Sequence, residues 1–94
     1  MHTQDSPPMP KVTFQTFILS MASSGLVHLG EVGDPQTGQK TKNKTMAKYS
    51  IDLLTMLQEK TQGNLDNQEE QMLANLLFEL RMKYVQIFGE KSDK

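Results

Sequence analysis

Cysteine is absent from this chain, and neither sign of charge dominates it. Without cysteine there is no disulfide, no thiolate nucleophile and no cysteine zinc site, and the composition fits a reducing cytoplasm. Ten basic and eleven acidic residues give a formal net charge of -1, so no chain-wide field attracts nucleic acid or an anionic membrane. Residues 1–10 are polar and rich in proline, unlike a signal peptide. We therefore expect a cytoplasmic protein with a single domain over residues 13–88 and disordered tails over residues 1–12 and 89–94.

One stretch without charge, residues 12–30, is long enough to cross a bilayer. Polar side chains interrupt it, among them Gln15 and His28, and these are costly near the centre of a membrane. We therefore predict that this stretch does not span a membrane. Its apolar residues recur at three- and four-residue steps, which predicts a soluble helix over about residues 14–29.

The ends and the middle of this first helix carry small or polar residues. Thr13 is a suitable N-cap, and Gly30 suits the left-handed position after the last turn. An interior glycine costs about 1 kcal/mol relative to alanine, and the middle of this helix contains one in a cluster of small residues: Ser20, Ala22, Ser23, Ser24 and Gly25. Either an open binding groove or the close approach of a second helix would explain them, and we expect the close approach.

Two further helical patterns cover about residues 44–62 and 67–88. The bend between them is short and contains Gly63, followed by Asp66 and Glu69 as a capping box with aspartate as the N-cap. Such a short bend folds the two helices into an antiparallel hairpin. The fold class is therefore all-α with three helices, and we expect oligomerisation to complete it because small domains bury only a modest fraction of their surface.

A longer connection, residues 31–42, precedes the second helix and contains the turn pair Asp34-Pro35. Connections of this length are either mobile or cover part of the core. The apolar sector of the second helix is wider than a monomeric three-helix domain needs, which indicates contacts with a second chain. The third helix has two apolar faces, one for the second helix and one for either the first helix or a neighbouring subunit. The predicted interface residues are Phe78, Met82, Val85, Tyr49 and Met56.

Spaced motifs along residues 14–85 resemble a mostly bacterial, all-helical family, domain of unknown function 1844. The resemblance rests on Phe17-Ile18-Leu19-Ser20, Val27-His28-Leu29-Gly30, Asp34-Pro35 with Thr37-Gly38, Ile51-Asp52-Leu53-Leu54, Glu59-Lys60-Thr61 with Gly63-Asn64-Leu65, and Leu80-Arg81-Met82 with Tyr84-Val85. Asp66 and Lys44 depart from the family pattern, which usually has threonine and an apolar residue at these positions. The resemblance implies a helical fold and names no catalytic residue, cofactor or substrate.

Candidate chemistry in the residues themselves is sparse. Ser24 and His28 share a helix face, but no acid is placed to orient the histidine. His28, Glu31 and Asp34 could meet at a cation only across a helix end and a turn. The sharpest local feature is a group of lysines at the start of the second helix, where an anion would be favoured by lysines and free N–H groups alike: Lys40, Lys42, Lys44 and Lys48.

From these observations we predict a protein-interaction module without catalytic activity, cofactor or metal. Its expected partner is a second copy of itself, most simply in a two-fold dimer, and a different protein is a further possibility because methionines adapt to many surfaces. Two alternatives stay open. The lysine group could bind phosphate or nucleic acid, although no aromatic residues accompany it to stack bases, or the helices could enclose a small apolar ligand as a carrier does.

Overall fold

The computed structural model describes Met9 and residues 11–89, which form three α-helices connected by two loops. Helix α1 is Phe14–His28, α2 is Lys44–Lys60 and α3 is Asn67–Phe88. Each helix contacts both others, and α2 and α3 form the predicted hairpin. The predicted tails lie outside the described residues except for Met9, Lys11, Val12 and Gly89.

Local side-chain chemistry explains where each helix begins. The Thr13 hydroxyl accepts a hydrogen bond from the Thr16 amide, and Asn43 does the same for the Met46 amide. At the start of α3, Asp66 accepts from the Glu69 amide at 2.8 Å while the Glu69 carboxylate accepts from the Asp66 amide at 3.0 Å. These contacts satisfy N–H groups that the first helical turn leaves without partners. The predicted N-caps Thr13 and Asp66 are therefore confirmed, and Asn43 is the N-cap of α2.

The helix ends also follow from local residues, with two corrections. We predicted that α1 would reach residue 29, but it ends at His28, and Leu29 is its C-cap. We predicted that α2 would reach residue 62, but it ends at Lys60, and Thr61 is its C-cap. The Thr61 hydroxyl donates to the Leu57 carbonyl at 2.7 Å, and its amide donates to the same oxygen. The chain then turns through Gly63, which has a φ of +82°. Because threonine closes the last turn, the glycine lies two residues beyond the cap.

The core lies where the three helices meet. Fully buried side chains come from all of them, including Ile18 of α1, Leu54 of α2 and Leu77 of α3. Gly25 is buried in this region, and a Cβ added to it would lie 3.4 Å from both Ser50 Cβ and Leu80 Cδ2. The absence of a side chain at Gly25 thus lets α1 pack against both helices of the hairpin. This position is a helix contact, as expected, and not an open groove.

The loop between α1 and α2 is held by its own hydrogen bonds. The Asp34 carboxylate accepts from the Gln36 amide at 2.7 Å, and the Asp34 amide donates to the Gln39 carbonyl at 2.9 Å. At the base of the loop, the Asn43 amide donates to the His28 carbonyl at 2.7 Å. The bond between Asn43 and His28 joins the end of α1 to the start of α2, so it helps to fix the position of α1 relative to the hairpin.

We predicted that residues 12–30 do not span a membrane. No helix in the described part of the chain is both long enough and apolar enough to cross a bilayer. The uncharged stretch instead supplies α1 with a buried face against the hairpin.

Candidate functional site

Helix α3 carries a ridge of three exposed apolar side chains, Phe78, Met82 and Val85, which we call the α3 ridge. Phe78 is 66% exposed, and Met82 and Val85 are 44% and 42% exposed. At about 100° per residue the three lie within about 60° of arc, on the side of α3 that faces away from the core. Isolated exposed apolar residues are ordinary, whereas contiguous ones mark interaction surfaces. The predicted interface residues on α3 therefore form one surface.

One edge of the α3 ridge is attached to α2 by a polar contact. The Arg81 guanidinium donates to the Thr55 hydroxyl at 2.8 Å, and that hydroxyl donates to the Ile51 carbonyl at 2.8 Å. Arg81 therefore lies along the hairpin and leaves the three apolar side chains uncovered. No local sequence pattern indicates this pairing, because it joins residues 26 positions apart.

The two predicted interface residues on α2 lie on a different surface. Tyr49 is 55% exposed and Met56 is 44% exposed. They are seven residues apart and so share a helix face, opposite the buried Ala47 and Leu54. The five predicted residues are thus all exposed, but they make up two surfaces, of which the α3 ridge has more apolar side chains.

The four lysines at the start of α2 are exposed. Lys48 pairs with Asp52 at 2.9 Å, and its hydrogen bond and charge attraction to this carboxylate raise the pKa of Lys48. The Asn43 side chain occupies the Met46 amide, one of the N–H groups that an anion would use. Part of the predicted anion site is therefore already engaged within the chain, and anion binding stays a prediction.

Of the other candidate residues, Glu31 and Asp34 make structural contacts of their own. Ser24 is exposed, and within the described residues its hydroxyl makes no hydrogen bond to His28. Glu31 pairs with Lys83 of α3 at 3.3 Å, and Asp34 stabilises its own turn. The described residues contain no cluster of three or more histidine, cysteine or acidic side chains that could hold a metal ion.

A shallow groove between α1 and the first half of α3 was not predicted from the sequence. Its floor is apolar, and five side-chain amides surround it. The lining residues are Leu19, Met72, Leu76, Gln15, Asn67, Gln68, Gln71 and Asn75. No charged residue takes part, so no charge pattern in the sequence could have indicated it. Asn75 also borders the α3 ridge, which places the groove beside that surface.

Comparison with known proteins yields a family and nothing finer. No curated protein and no solved structure matches the chain significantly. One family described as a domain of unknown function (DUF1844) matches residues 11–86, a range that includes α1, α2 and all but the last two residues of α3. The match covers most of the chain and confirms the resemblance seen in its motifs, and the protein belongs to this DUF1844 family.

Proposed function

We propose that the protein is a homodimeric interaction module and that the α3 ridge is the contact between its subunits. The observation that carries the proposal is Phe78, the most exposed large apolar side chain within the three helices. Met82 and Val85 extend the apolar surface along the same side of α3. A two-fold dimer would bury the same ridge from both copies, so each apolar residue counts twice.

The free energy gained by burying Phe78 in the interface is a substantial part of what association requires. Aromatic side chains bury roughly 200 Å², so the 66% exposed fraction corresponds to about 130 Å². At about 25 cal/mol per Å² this is about 3 kcal/mol for each copy. Association itself has an entropic cost of several kcal/mol. Two phenylalanines with their neighbours offset much of that cost, whereas one of them alone would not.

The chemistry proposed for this module is binding, with no catalytic step assigned to its residues. Two other functions compete with it. Anion binding is weakened as a hypothesis by the Lys48–Asp52 pair and by the Asn43 cap. A carrier of a small apolar ligand needs an enclosed space, and the main core side chains are packed against one another. An apolar ligand retained in native mass spectrometry would favour the carrier over the dimer.

The test is the molar mass of Phe78→Asp by light scattering, with helicity measured by circular dichroism. We expect a monomer with the helicity of the wild type, because Phe78 contributes little to the core of one chain. Phe17→Asp is the matched control: Phe17 is 50% exposed but lies on α1, and this variant should stay dimeric. Val85→Asp tests the same ridge at a second position. Ridge variants that remain dimeric and folded would refute the proposal.

A further inference from the structure

We infer that a shallow cleft between the start of α2 and the C-terminal half of α3 binds a small organic phosphate monoester. Five residues of α2 and one of α3 line this cleft: Lys44, Thr45, Lys48, Tyr49, Asp52 and Tyr84. None of them belongs to the α3 ridge, so the inference does not depend on the proposed dimer.

Tyr84 carries the inference because its polar tip has no partner within the chain. The residue is only 6% exposed, and its ring packs against Phe88 with the ring centroids 5.0 Å apart. Its hydroxyl makes no hydrogen bond to another residue that the structure describes. A buried tyrosine hydroxyl normally has a hydrogen-bond partner, and one that lacks it points to a water, an ion or a ligand. The electrostatic interaction of Tyr84 with Lys48 places this hydroxyl near an ammonium group.

The charges of the cleft favour an anion as the ligand. Lys44 and Lys48 contribute two positive charges against the single negative charge of Asp52, and the exposed Thr45 adds a hydroxyl donor. A phosphate monoester carries nearly two negative charges at neutral pH and accepts hydrogen bonds through three oxygens. It therefore matches the donors of Tyr84, Thr45 and Lys48 in both charge and number.

The cleft has room for more than the phosphate group. Its volume is about 430 Å³, within the range of small-molecule sites. The ring of Tyr49 is 55% exposed beside it and offers a face on which an aromatic ligand body can stack. We therefore assign the site to an organic monoester and not to inorganic phosphate alone.

The contacts that weaken an anion site at the end of α2 do not close this cleft. Asn43 caps the end of the helix, whereas Lys44, Lys48 and Asp52 follow each other at four-residue steps and line its side. The side chains of Lys48 and Asp52 are 59% and 58% exposed, and an ion pair with this exposure is weak. Lys48 can therefore exchange Asp52 for a doubly charged ligand.

Phenyl phosphate is the probe, and amide chemical shifts of the full-length chain report its binding by NMR. In a Tris buffer without phosphate we expect saturable shifts at Thr45, Lys48 and Tyr84. Phenol has the same ring without the charge and should not produce them. Tyr84→Phe removes only the hydroxyl and should weaken binding about tenfold, because a hydrogen bond to a charged group is lost.

Two further variants test the charges of the cleft. Asp52→Asn should strengthen binding, because it removes the negative charge beside the ligand and releases Lys48. Lys40→Gln is the matched control, since Lys40 is an exposed lysine outside the cleft, and it should keep the affinity of the wild type. Weaker binding in Asp52→Asn would show that the cleft prefers a cation and would overturn the inference.

The stability of Tyr84→Phe in the buffer without phosphate separates lost binding from lost folding. We expect it to be no lower than that of the wild type, since the hydroxyl has no hydrogen bond to lose within the described residues. A clear loss of stability would show an internal partner for the hydroxyl and overturn the inference. An equal response to phenol, no saturable shift, or wild-type affinity in Tyr84→Phe would also overturn it. A wild-type chain that is monomeric by light scattering would remove the proposed dimer and leave this site unchanged.

Discussion

Replacement of Gly25 tests how closely α1 packs against the hairpin. The size of the expected change in the free energy of unfolding follows from the contacts at this position. Alanine relieves the helix-propensity cost of an interior glycine, which is about 1 kcal/mol. Its Cβ would lie 3.4 Å from Ser50 Cβ and Leu80 Cδ2 and 3.6 Å from Leu80 Cδ1. These are van der Waals distances at the short end of the range, so most of the gain in helix propensity should be retained. We expect Gly25→Ala to raise the free energy of unfolding by about 0.5 to 1 kcal/mol.

A longer side chain at position 25 should lower the free energy of unfolding instead of raising it. Gly25→Leu would add three carbons beyond the Cβ where Leu80 is only 2% exposed and Ser50 is 6% exposed. Overpacking of this kind costs about 1 to 3 kcal/mol. We therefore expect Gly25→Leu to be less stable than the wild type although leucine is the better helix former.

Urea denaturation followed by circular dichroism measures both changes. All variants are compared at one protein concentration, because the stability of a dimer depends on concentration. Ser24→Ala, at an exposed position of the same helix, reports the effect of propensity alone and should change stability by no more than a few tenths of a kcal/mol. If Gly25→Leu is as stable as Gly25→Ala, the site is open and the close packing of α1 is refuted.

Two further predictions concern the helix starts. Asp66→Ala should lower the free energy of unfolding by about 1 kcal/mol because the Glu69 amide loses its acceptor. Asp52→Ala removes only an exposed ion pair and should lower the free energy of unfolding by less. Equal losses in the two variants would contradict the capping role of Asp66. For the lysine group, fluorescence polarisation with labelled single-stranded RNA or DNA should show no binding at low salt if the protein is only an interaction module, whereas salt-sensitive binding lost on combined substitution would establish the anion site at Lys40, Lys42, Lys44 and Lys48.

Local chemistry made the starts of the helices predictable. Thr13, Asn43 and Asp66 are short polar residues in front of apolar periodic segments, and each is an N-cap in the structure. The end of α2 was placed two residues too late because Gly63 is the stronger turn signal. The hydroxyl of Thr61 closes the helix before that glycine. Such side-chain bonds to the preceding turn compete with helix continuation and leave little trace in periodicity.

The sequence predicted which faces of the helices are exposed, but it did not predict which residues contact each other between helices. Periodicity identified the exposed residues of α2 and α3, but it did not show that Tyr49 and Met56 lie apart from the α3 ridge. Arg81–Thr55 and Glu31–Lys83 join residues far apart in the chain, and nothing local marks either pair. The groove beside Asn75 was missed for the same reason, because it forms only when α1 crosses α3.

Light scattering of the wild-type chain over a range of protein concentrations tests whether the protein is a dimer. We predict a species of twice the chain mass of 10.7 kDa, which dissociates on dilution into folded, helical monomers. A mass of one chain at every concentration up to the millimolar range would contradict the proposed dimer.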